Sequence, residues 1–135
     1  MSASRHSIRW VLALGALVGS AHVAAAQTPA PARLLVLLRD ASALAIVDPV
    51  AGTVLGRVPT VRSPHEVTAS ADGKLAFVAS PSGGISVIDL DAQTELRRLD
   101  IGPGSAPHDV RFAGGKLYFT AEGYKVIGRY DPRRD

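Results

Sequence analysis

The chain has 135 residues, 47% of them apolar and 20% charged, which is the composition of a globular protein and not of a disordered one. It has no cysteine, and this excludes disulfides, thiolate metal sites, cysteine nucleophiles, covalent c-type haem attachment and a lipid-anchored N-terminal cysteine. The formal charge of +3 falls to +1 when Arg5 and Arg9 of the N-terminal segment are set aside, so the net charge argues for neither nucleic acid nor an anionic membrane.

Residues 1–26 have the parts of a secretory signal peptide. Arg5, His6 and Arg9 form a charged start, residues 10–18 an apolar run, and Ala24-Ala25-Ala26 a small-residue processing site, with Gln27 as the expected mature start. The apolar run is too short and too rich in Ala and Gly for a good spanning helix. No membrane anchor is expected after cleavage, and the location expected is periplasmic or extracellular. Residues 27–33, QTPAPAR, carry two prolines and no large apolar side chain, and read as an extended linker.

From residue 34 the pattern is that of strands and turns. LLVLLR at 34–39 is a continuous apolar run too short for a stable helix, and predicts a strand buried on both faces. Strands follow at 43–48 and 53–58, separated by Pro49-Val50-Ala51-Gly52. Four more are predicted at 65–70, 74–79, 85–90 and 94–101, with a hairpin signal at Asp72-Gly73. The run at 94–101, TELRRLDI, is polar, as suits an outer edge strand. Three further strands are predicted within 108–131.

These elements repeat. Pro64-His65-Glu66 returns as Pro107-His108-Asp109, and Gly73-Lys74-Leu75 as Gly115-Lys116-Leu117. The three strands at 34–58 match the second to fourth of a blade whose innermost strand is absent, so Asp48, Asp89 and Asp131 each close the third strand of a blade and precede a turn, where an aspartate caps the bend. An all-strand unit recurring every 42–43 residues is the signature of a propeller blade. The fold class predicted is all-β: a partial β-propeller of about two and a half four-stranded antiparallel blades, with a partial blade at 34–59, a full blade at 64–102 and a partial blade at 107–132. A ring of even four blades needs more residues than this. The expectation is therefore a piece of a larger ring, or a short chain that assembles with others and self-associates.

The stretch SPHEVTASADGKLAFVASPSGGISVIDL resembles the bacterial YVTN-type β-propeller repeat, through Ala71-Asp72-Gly73-Lys74, Phe77-Val78-Ala79-Ser80 and Ser86-Val87-Ile88-Asp89. The resemblance runs from about residue 34 to 131. It departs at Ala71, where proline is usual, and at Ala113-Gly114-Gly115 and Phe119-Thr120-Ala121-Glu122. The third unit is also similar to virginiamycin B lyase and gluconolactonase-like propellers, and the haem domain of cytochrome-type nitrite reductases is a more distant relation. The resemblance implies a propeller fold. It divides on activity, since these groups hold surface-layer proteins, exported proteins and lactonases.

Two histidines are the candidates for chemistry. His65 and His108 stand at the start of the innermost strand of successive blades, each after a proline and before an acid. Such strand starts ring the mouth of a propeller's channel. Imidazoles and carboxylates converging there suit a divalent metal ion, the candidate cofactor, with Glu66, Asp109 and Glu122 as oxygen ligands or a general base. The competing reading is structural: the imidazole satisfies loop carbonyls and the acid accepts backbone N–H groups. Alternation along a strand sends His65 and Glu66 to opposite faces unless the strand start is irregular. The loop glycines at 83–84 and 102–104 lack the context of a phosphate cradle. The function expected is an exported binding or scaffold module whose partner is a small molecule or protein, with no specific nucleic-acid signal. The alternative is a metal-dependent lactonase or lyase.

Overall fold

The computed structural model describes residues 31–134; the predicted signal peptide lies outside them. Ten strands form three antiparallel sheets among these residues. The first sheet has the order β1 (Leu34–Leu38), β2 (Ala43–Asp48), β3 (Thr53–Pro59). The second runs β4 (Glu66–Ala69), β5 (Leu75–Ser80), β6 (Gly84–Asp89), β7 (Thr94–Leu99), and the third β8 (Pro107–Ala113), β9 (Lys116–Ala121), β10 (Val126–Tyr130). A short 3₁₀ turn, Glu122–Tyr124, joins β9 to β10. This is an arc of a β-propeller: one four-stranded blade between two of three strands.

Alternation along the strands builds the interfaces between blades. In the middle sheet Ala76, Val78 and Ile88 face the first blade and pack with Leu44, Ile46, Val58 and Val61. Phe77, Ala79, Ile85 and Val87 face the third blade and pack with Val110, Leu117, Phe119 and Ala121. The middle blade is thus apolar on both faces, and β5 and β6 read as nearly continuous hydrophobic runs. Each outer blade has one packed face. That overturns the expectation for residues 34–39: β1 lies at a sheet edge, Leu34 is 51% exposed and the rest of the strand is half-buried, because only its Leu35 and Leu37 side has a blade to pack on.

The turns repeat as the sequence indicates. Asp48 Oδ1 accepts the N–H groups of Val50 (2.8 Å) and Ala51 (3.0 Å). Asp89 Oδ1 accepts those of Asp91 and Ala92, both at 2.8 Å, and Asp131 Oδ1 accepts that of Arg133 at 3.2 Å. A bulge also recurs: Leu55 of β3 is the extra residue opposite Ile46 and Val47, and Leu96 of β7 the extra residue opposite Val87 and Ile88. It increases local twist at the same level of both sheets. The Asp72-Gly73 turn is longer than a two-residue hairpin. It spans residues 70–74, held by Ser70 and Lys74 on Asp72 Oδ1, with Gly73 at φ 68°.

Candidate functional site

Two loops, each leading into the inner strand of a blade, position the site. In the middle blade the chain passes from β3 through residues 60–65 into β4. Ser63 has φ 50°, Pro64 is fully buried, and the His65 N–H donates to the Ala79 carbonyl at 2.9 Å. In the third blade the same sequence of conformations returns: Ala106 has φ 47°, Pro107 is buried, and His108 follows. Positive φ is uncommon for any residue with a Cβ, and both loops place it immediately before a proline. Such strain persists where the surroundings over-determine it. Here the buried proline and a hydrogen-bonded backbone on either side supply that constraint.

The result is convergence. β4 and β8, the inner strands of successive blades, pack against each other. The His65 and His108 rings lie 4.2 Å apart, centroid to centroid, tilted by 39°. Their side chains are 38% and 33% exposed, so both are held by the fold and open to solvent. Glu66 Oε1 lies 3.9 Å from His65 Nδ1, and Glu122 Oε1 lies 3.5 Å from His108 Nδ1. These are electrostatic contacts, too long for strong hydrogen bonds. In each ring the acid stands on the Nδ1 side, which leaves Nε2 turned away from it.

Both strand starts are irregular, and this is why His65 and Glu66 approach each other. His65 precedes β4, so strict alternation does not yet apply to it. At His108 the register of β8 on β9 shifts between Pro107 and Val110, and the Asp109 N–H bonds to Thr120 Oγ1 at 3.0 Å instead. Asp109 is then drawn out of the group: its carboxylate pairs with Arg111 at 2.7 Å. Of the five residues singled out by sequence, the structure brings His65, His108, Glu66 and Glu122 into one chain of contacts and diverts Asp109. Among the described residues there is no group of three His, Cys, Asp or Glu that could hold a metal ion. Sequence reading missed Ser63, Ala106 and Thr120. The repeated Ser-Pro-His and Ala-Pro-His triplets were the signal for the first two.

A cleft of about 490 Å³ opens at the same end of the sheets, between residues 81–84 and 98–107, and reaches Pro107 beside His108. It is lined by the two loops and the end of β7, with Arg98 and Asp100 as its charged residues.

Residues 32–134 match the family model described as the cytochrome D1 heme domain. The chain belongs to that family. Among solved structures it is similar to the hydrazine synthase of Kuenenia stuttgartiensis, with a TM-score of 0.69 at 22% sequence identity, over 89% of this chain. That likeness is one of fold, and this D1-type chain spans 37% of the length of the neighbour. No curated protein matches it in sequence.

Proposed function

We propose that this chain is part of an exported D1-type propeller that acts as a binding module, with its ligand site at the channel mouth where His65 and His108 meet. The observation that carries the reading is the pair of imidazoles, 4.2 Å apart on successive blades and half-open to solvent. A purely structural histidine is satisfied by its own loop. Here two are delivered by separate strained loops to one point. The charged start and Ala24-Ala25-Ala26 of the first 26 residues support export. The YVTN-like repeat agrees with such a role.

The family's description names a haem, and the donor chemistry fits one: imidazole is a common protein ligand to haem iron and a hydrogen-bond donor to what the iron carries. His65 and His108 are the residues that would hold it or meet its ligand. When bound, a haem supplies an iron centre for electron transfer or ligand exchange. The chain's own part is to fix the two imidazoles, set a carboxylate near each Nδ1, and cover one arc of the site with β4 and β8. The metal-dependent lactonase or lyase reading rests on the His65–Glu66 and His108–Glu122 pairs alone, since Asp109 is engaged by Arg111.

The test is titration of the full chain with hemin, followed in the Soret band, beside the paired variant His65→Ala with His108→Ala. Saturable binding is expected, which the paired variant loses by at least about tenfold, a difference of about 1.4 kcal/mol. Equal binding by both proteins, or none by the parent, contradicts it. Mass spectrometry of the exported product is expected to find Gln27 at its N-terminus; an intact Met1 in a membrane fraction contradicts export.

A further inference from the structure

The two loops that carry the histidines are held in place by different means, and the difference assigns a role to residues far along the chain. The loop before His108 is restrained by the 3₁₀ turn of its own blade. The Gly123 N–H donates to the Ser105 carbonyl at 3.0 Å, the Glu122 N–H to the Ala106 carbonyl at 3.1 Å, and the Tyr124 hydroxyl to the Pro103 carbonyl at 2.7 Å. All three donors belong to that turn.

Besides one backbone bond, from the Thr60 N–H to the Ser42 carbonyl at 2.9 Å, the loop before His65 is restrained by side chains, three of them from the middle blade. Arg98 Nη2 donates to the Thr60 carbonyl at 3.1 Å. The Val61 N–H donates to Ser86 Oγ at 2.8 Å. The Ser80 hydroxyl donates to the Arg62 carbonyl, and the Ser63 N–H reaches Ser42 Oγ, beside the first blade, at 3.3 Å. Ser80 and Ser86 are completely buried, and Thr60 nearly so. Two of these restraints converge on Glu95. Its Oε1 accepts from the Ser86 hydroxyl, which orients that oxygen to accept from Val61. Its two oxygens also accept from Arg98 Nε at 2.9 and 3.0 Å, which aims the guanidinium at Thr60.

Each of residues 60–63 therefore has a main-chain group pinned by a side chain from outside the loop, and the pins on Thr60 and Val61 depend on one carboxylate. The pinned segment ends at Ser63, whose φ of 50° sets the direction in which Pro64 and His65 leave. We infer that Glu95, acting through Ser86 and Arg98, is a positioning residue for His65 and has no such effect on His108. This rests on the reading of the histidine pair as the site, but its test reads loop geometry directly.

The experiment compares the full chain with Glu95→Ala, Glu95→Gln and Ser86→Ala. Hydrogen exchange, resolved by peptide, follows residues 60–66 and 104–109, and modification by diethyl pyrocarbonate follows each imidazole by mass spectrometry. In Glu95→Ala, exchange in 60–66 is expected to rise by about tenfold, the scale of losing one hydrogen bond to a charged group. The modification rate of His65 changes with it, while 104–109 and His108 stay as in the parent. Glu95→Gln, which keeps an acceptor for Ser86, restores part of the protection, and Ser86→Ala reproduces the loss at Val61 while leaving the pair of Glu95 and Arg98 in place. Unchanged exchange in 60–66, or an equal response in both loops, overturns the proposal. Should hemin bind as in the parent although His65 has shifted, the function proposed above fails and the positioning role stands.

Discussion

At the scale of the residue, three turn aspartates, Asp48, Asp72 and Asp131, bear on how the fold answers acid. Backbone N–H groups of Ala51 and Val50 hold the Asp48 carboxyl below its ordinary value of 3.8. The Ser70 hydroxyl, and after it the Lys74 N–H, do so for Asp72, and the Arg133 N–H for Asp131. A carboxyl with a lowered pKa in the folded chain binds fewer protons there than in the unfolded chain. Its contribution is complete above pH 3.8 and is lost as the pH falls from 3.8 through the lowered value. Thermal melts are expected to be level above the carboxylate range and to fall below it, and Asp48→Asn is expected to reduce that fall. A melting temperature independent of pH across this window contradicts this linkage. These turns were legible in the sequence because Asp48, Asp89 and Asp131 recur before them. The strain at Ser63 and Ala106 was not: the repeated Pro-His that follows each marks the position, but the positive φ is imposed by a buried proline and by partners far along the chain.

At the scale of the element, β5 and β9 show what periodicity can and cannot tell. In β5 apolar residues stand on both parities and the strand is covered on two sides, with Phe77 fully buried and stacked on Phe112 at 5.4 Å and 11°. In β1 the same continuous run misled. Which faces of a strand are covered depends on whether blades stand on both sides, and no pattern within the strand records that. In β9 alternation separates Phe119, turned into the interface with the middle blade and lying over Gly128, from Tyr118, which is 39% exposed on the far face. Phe77→Ala is therefore expected to cost about 3–5 kcal/mol. Tyr118→Ala is expected to stay within about 0.5 kcal/mol. Denaturant melts of both variants check the contrast, and comparable losses would show that the blades are not packed as described.

At the scale of the whole molecule, an arc of blades leaves apolar surface uncovered. Ile127 is 77% exposed, Val126 54% and Leu34 51%, on strands at sheet edges that present unpaired backbone groups. Residues 27–135 alone are expected to self-associate or to melt broadly, as repeat units do when their faces lack neighbours. A monodisperse monomer by light scattering, with a sharp cooperative transition, contradicts this. The candidate site was legible at this scale and not below it. The 43-residue spacing of His65 and His108 announced equivalent positions on adjacent blades, but only the irregular register at Asp109 and the position of His65 before β4 decide which acids accompany them.

The meeting of the two histidines at one point underlies both the site and its proposed function, and the absence of cysteine makes it directly testable. The paired substitution His65→Cys with His108→Cys places the chain's only two thiols at the site. Treatment with a short bis-maleimide, followed by mass spectrometry of the digest, reads whether one reagent molecule joins the two positions. A bridge within a single chain is expected, formed faster than single modification and insensitive to protein concentration. Two thiols modified separately, or bridges only between chains, would show that the two positions do not meet.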